Sequence, residues 1–147
     1  FERLSSLKLN NNNLSGAIPP SLGNITTLTE LNLGGNELTG NLPPELGNLT
    51  NLKELFLFSN RFTGTLPPQY GRLTQLNVFT VATNSLEGSL PKELGYLTNL
   101  TRLNIFKNKF EGKIPQELAS LTNLTNLSIA NNKLSGEFPM LNEGKGG

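Results

Sequence analysis

Glu30 and Glu54 stand 24 residues apart in matching contexts, Glu-Leu-Asn-Leu and Glu-Leu-Phe-Leu. If the chain repeats with that period, their carboxylates lie on neighbouring strands at roughly the 5 Å separation used by retaining glycoside hydrolases. That chemistry also needs a closed cleft to keep one carboxyl protonated, and an open strand surface supplies none. The chain has no His and no Cys, which removes imidazole bases, thiolate nucleophiles, zinc-finger ligands and Ser-His-Asp triads. The residues argue for a protein that binds and does not catalyse, with no cofactor or metal implied.

The other groups with recognisable chemistry are side-chain amides. The triplet Asn-x-Ser/Thr, an acceptor for N-linked glycans, occurs at Asn13, Asn24, Asn48, Asn99, Asn123 and Asn126. With 21 Asn and 24 Ser plus Thr in 147 residues, chance alone gives roughly three such triplets, so the excess is about twofold. Asn24 and Asn48 are expected to carry glycans. Lys and Arg number 12 against 11 acidic residues, a net charge of +1 without long blocks, so nucleic acid is not an expected partner. No apolar run reaches the ~18 residues of a membrane span, and no charged-then-apolar leader opens the chain.

What positions these groups is a repeat. A shift of 24 superposes Leu4, Leu28, Leu52, Leu76, Leu100 and Leu124, and with them nearly every other apolar position. The alternation at Leu31 and Leu33 has period two, the mark of a short strand with its leucines inward and its neighbours outward. A single turn cannot bury those leucines, so six 24-residue turns must stack into a solenoid, with their strands pairing in parallel. Asn12, Asn36, Asn60, Asn84, Asn108 and Asn132 recur where each strand ends, suited to satisfying backbone groups of adjoining turns. Gly16, Gly40, Gly64, Gly88, Gly112 and Gly136 fall where the backbone needs conformations closed to other residues.

The segments Asn12 to Pro19 (NNLSGAIP), Asn36 to Pro43 (NELTGNLP) and Asn132 to Pro139 (NKLSGEFP) resemble the plant-specific leucine-rich repeat. The resemblance covers nearly the whole chain. It implies an α/β solenoid with a parallel sheet on its concave face, a second short strand near the Gly-x-Ile-Pro element, and a twisted superhelix. It further implies the ectodomain of a receptor-like kinase or a related secreted protein, hence an extracellular location. That family brackets its arrays with cysteine-paired caps, which are absent here. The array is expected over residues 1–139, beginning inside a turn because Phe1 falls on the core position of Ile25, with a Gly-rich tail over 140–147.

Function in a solenoid falls on the outward residues of its strands, which the core does not dictate. One column reads Asn10, Gly34, Phe58, Ala82, Phe106, Ala130 and its neighbour Lys8, Asn32, Phe56, Thr80, Asn104, Ser128. With strands ~4.8 Å apart, Phe58 and Phe106 stand roughly 10 Å from each other with Ala82 between, the outline of a slot for an apolar side chain. A third column runs Ser6, Glu30, Glu54, Val78, Arg102, Asn126, acidic toward one end and basic toward the other, with Lys107 expected beside Arg102. Glu30, Glu54, Phe56, Phe58, Arg102, Phe106 and Lys107 are therefore the candidate ligand-binding residues. The expected partner is a peptide, protein or glycan. The alternative is a structural glycoprotein unit that stacks end to end on further copies of itself into a filament.

Overall fold

A computed structural model describes residues 1–139; the Gly-rich tail expected over 140–147 lies outside the described residues. The eleven strands among the described residues, numbered in chain order, fall into two roles. β1 (Ser6–Lys8), β3 (Glu30–Asn32), β5 (Glu54–Phe56), β6 (Val78–Thr80), β8 (Arg102–Asn104) and β10 (Asn126–Ser128) form one six-stranded sheet in that order, one strand per turn. All pairings are parallel with a register of 24, as in Leu31 on Leu55 and Phe79 on Leu103. The remaining strands, β2 (Ser15–Gly16), β4 (Glu37–Leu38), β7 (Glu87–Gly88), β9 (Lys109–Lys113) and β11 (Lys133–Ser135), run along a second side as the pair β2–β4 and the trio β7–β9–β11. Isolated bridges at Asn41–Thr63 and Thr65–Glu87 link these two groups through the third turn.

The helical component is a 3-10 turn of five residues, repeated five times: Pro20–Asn24, Pro44–Asn48, Pro68–Arg72, Lys92–Tyr96 and Gln116–Ser120. Each follows a proline whose fixed φ holds the chain extended, and each closes on a carbonyl three residues back, as Leu49 N–H does on Leu46. A helix this short lets the chain return to the next strand within 24 residues.

Between sheet and 3-10 turns lies a continuous apolar column. Leu28, Leu31, Leu52, Leu55, Leu76 and Leu100 are fully buried, and the third and fourth turns add Phe62, Tyr70 and Phe79. Tyr70 takes the place held elsewhere by Leu46 and Leu94, meets Phe79 edge to face at 6.2 Å, and donates its hydroxyl to the Pro43 carbonyl at 2.8 Å. The corner asparagines stitch successive turns. The Asn60 carbonyl oxygen accepts from Leu38 N–H at 3.0 Å, while its amide donates to the carbonyls of Leu33 and Phe58. All six repeat glycines, from Gly16 to Gly136, sit at φ between 75° and 82°, in the left-handed region where a Cβ is costly.

Candidate functional site

The outward residues of the six-stranded sheet fall into the columns read from the sequence, since Glu30 pairs with Glu54, Glu54 with Val78, Val78 with Arg102 and Arg102 with Asn126. On this face the middle turns open an exposed pocket of about 580 Å³. Phe56, Phe58, Val78, Thr80, Ala82, Arg102, Asn104 and Phe106 line it, joined by Ser59 and Thr83 at the corner and by Asn126 and Ser128 on β10. Of the seven candidate residues, the pocket brings together Phe56, Phe58, Arg102 and Phe106; Glu30, Glu54 and Lys107 do not line it.

The phenylalanines are held in a definite arrangement. Phe56 and Phe58 meet edge to face, with centroids 6.4 Å apart and ring planes at 87°, a geometry that sets one ring's positive edge against the other's negative face. The Phe58 ring leans toward the preceding turn: a Cβ placed on Gly34 would lie 2.4 Å from its Cζ. Gly34 is thus the bed on which Phe58 rests. Ala82, between Phe58 and Phe106 in the column, is only 7% exposed.

A second feature of the pocket lies in the backbone. Two residues before the corner, three turns cap the outgoing N–H with a strand side chain: Asn32 accepts from Gly34, Thr80 from Ala82 and Asn104 from Phe106, at 3.0 to 3.3 Å. In the third turn Phe56 occupies the capping position and has no acceptor to offer. Among the described residues the Phe58 N–H has no hydrogen-bond partner. The side chains that reach its counterparts come from the same outward column as Phe56, so this donor is reachable from the pocket side. Column reading could have flagged it, because Phe56 interrupts a run of polar residues.

Electrostatically the pocket is one-sided. Arg102 is its single ionisable lining residue and is exposed. The ion pairs among the described residues are Lys8–Glu30 at 3.3 Å and Arg61–Glu37 at 3.7 Å, leaving Arg102, Lys107 and Glu54 without one. Lys107 does not line the pocket with Arg102. It occupies the corner, five residues on, in the column of Asn11, Gly35, Ser59, Thr83 and Asn131, all with φ between 52° and 67°. Asn and Gly adopt this conformation readily. The third, fourth and fifth turns place Ser59, Thr83 and Lys107 there instead, and Ser59 and Thr83 form the pocket's rim.

All six acceptor asparagines are exposed. Asn24 and Asn48 end successive 3-10 turns, across the solenoid from the sheet. Asn99 and Asn123 donate their amides to the carbonyls of Thr74 and Thr98 one turn back. Asn126 is on β10 and lines the pocket.

A family model described as a leucine-rich repeat region matches residues 1–139. Among solved structures, the Arabidopsis receptor kinase HAESA, in complex with the peptide hormone IDA and the co-receptor SERK1, is 40% identical, with a TM-score of 0.90 over 95% of this chain and 24% of its own. PEPR1–AtPEP1 is 44% identical, with a TM-score of 0.90 over 92% of this chain and 19% of that one. A TDR receptor is 36% identical, with a TM-score of 0.92 over 94% of this chain and 24% of its own. The chain thus spans about a quarter or less of the length of each. A comparison with curated proteins gives no match.

Proposed function

This chain belongs to the leucine-rich-repeat family, in the form found in plant receptor ectodomains, and from that premise we propose that it is an extracellular recognition module that binds a peptide or protein on its concave sheet. Solved relatives hold peptide hormones and a co-receptor protein, which supports a peptide or protein partner and a binding role without catalysis. The observation that carries the concave site is the aromatic pocket: Phe56, Phe58 and Phe106 left outward on a strand face, with Gly34 relieving the space Phe58 needs. Nothing in packing a solenoid requires large apolar residues there, and clustered aromatics of this kind serve as anchors for a partner's apolar side chain.

In this reading the ligand buries an apolar group among the three rings, turns an acceptor oxygen toward the Phe58 N–H and Arg102, and directs a basic end toward Glu54 and Glu30. Lys107 lies next along the rim from Thr83. The charges set direction and encounter rate more than affinity. Glycans on Asn24 and Asn48 coat the side away from the sheet. The test is a double substitution, Phe58→Ala with Phe106→Ala, in the secreted ectodomain. Loss of about 2 kcal/mol, roughly thirtyfold in Kd for the peptide recovered by ligand screening, is expected with the fold retained. Unchanged affinity would remove this site.

The alternative is a unit that stacks end to end on further copies of itself. In the last described turn Leu124, Leu127, Ile129, Leu134 and Phe138 are partly or fully exposed, whereas Leu52, Leu55 and Leu57 are fully buried. A further turn stacked in register covers such side chains, whether it belongs to the same polypeptide or to a second copy. Light scattering that shows mass growing with concentration, and abolished by a charged residue at Leu127, would favour assembly; a monomer at all concentrations would favour the recognition module alone.

A further inference from the structure

Two groups of candidate residues collide at one position. Asn126 is an acceptor asparagine, followed by Leu127 and Ser128, and it is also a wall of the aromatic pocket, as is Ser128. None of the other five acceptors lines that pocket. The Asn126 side chain projects from the same outward column as Arg102, its register partner. It is exposed, its carbonyl oxygen accepts from the Thr125 hydroxyl at 3.1 Å, and its amide nitrogen donates to no protein group among the described residues. The amide is therefore free to be substituted without breaking a bond between turns, unlike those of Asn99 and Asn123.

We propose that Asn126 is an N-glycan acceptor whose glycan closes the aromatic pocket, so that glycan and ligand exclude each other at this site. In the modification, Nδ2 loses one proton and bonds the anomeric carbon of the first sugar. The anomeric C–O bond to a lipid-linked pyrophosphate donor breaks, and the lipid pyrophosphate leaves with its electron pair. A glycan is bulky and hydrophilic. Rooted on β10, its first sugars lie over Arg102, Asn104 and Phe106, where they occupy the space an apolar side chain would fill and keep the rings hydrated. Binding competence is then divided by occupancy: molecules bare at Asn126 bind, and glycosylated ones do not. A mixed population shows fewer sites per molecule at unchanged affinity. This rests on the reading of the concave face as a binding surface.

The experiment uses the full-length protein secreted from plant cells, with two independent readouts. Glycopeptide mass spectrometry gives the occupied fraction at Asn126. Titration with anilinonaphthalene sulfonate, whose rings and anionic group suit the phenylalanines and Arg102, gives the number of pocket sites, counted as the binding that Phe58→Ala with Phe106→Ala abolishes. The expected result is that the site number equals the bare fraction at Asn126 and rises to a full complement in Asn126→Gln. An Asn126 bare in every secreted molecule overturns the proposal and leaves the binding face standing. An occupied Asn126 with a full complement of pocket sites overturns it as well. Pocket-specific binding in neither protein overturns both, since there is then no pocket to close.

Discussion

Gly34 and Phe58 form a single packing unit although they lie a full turn apart in sequence. In Gly34→Ala the new Cβ overlaps the Phe58 ring, and because that ring is the movable end of an outward side chain, the conflict is relieved by swinging it off its bed. We expect stability within about 1 kcal/mol of wild type by denaturant unfolding, with ligand affinity falling as far as in Phe58→Ala; intact affinity would separate the two residues. Tyr70 acts in the core. Burial, with a smaller contribution from the Glu45 carboxylate, holds its phenol well above the ordinary range. The native state therefore keeps the proton after the unfolded chain, with a tyrosine pKa of about 10, has begun to release it. Its contribution to stability is level below about pH 10 and declines as pH rises beyond that. Tyr70→Phe leaves the Pro43 carbonyl without its donor, so a loss of about 1–2 kcal/mol is expected at neutral pH. That deficit should narrow in strongly alkaline urea titrations, and a deficit independent of pH would contradict the assignment.

At the scale of the element, the strand-to-corner unit shows where the repeat departs from what is cheapest for its backbone. Thr83, β-branched, sits at φ 57° in a position that Asn11, Gly35 and Asn131 fill elsewhere. A left-handed conformation costs such a residue of order 1–2 kcal/mol. Of the three departures, Ser59 and Thr83 line the pocket, and strain held at such positions accompanies functional sites. Thr83→Asn should accordingly raise stability by about 1 kcal/mol in thermal or chemical unfolding, and weaken binding if the hydroxyl or methyl contacts ligand. A destabilised Thr83→Asn would show that no strain is stored there. The corner ladder explains why the turns tolerate this cost: Asn84 still bonds Phe62 N–H and the carbonyls of Leu57 and Val81, so the corner is fixed from below.

For the molecule as a whole, stability is a sum over neighbouring turns. Turns three and four have a partner on each side and bury the large side chains of Phe62, Tyr70 and Phe79 completely. The first and last described turns expose Leu9, Leu14, Leu127 and Phe138. Amide hydrogen exchange should be slowest at Leu55 and Phe79, and should quicken stepwise toward β1 and β10. A uniform profile would indicate that the end turns are covered as well, as stacked copies in an assembled filament would cover them.

The period of 24, the inward leucines, the corner asparagines and the positive-φ glycines were legible in the sequence because each is imposed by a contact that recurs in every turn. The column order of Glu30, Glu54, Val78, Arg102 and Asn126 followed from that period alone. What differs between turns was not legible. Phe58 lying over Gly34 and the entry of Asn126 into the pocket each depend on how a side chain turns within its column. A repeat fixes which residues are neighbours across turns; only the packed structure fixes which way their side chains lean, because that choice is made by the space the adjacent turn leaves open.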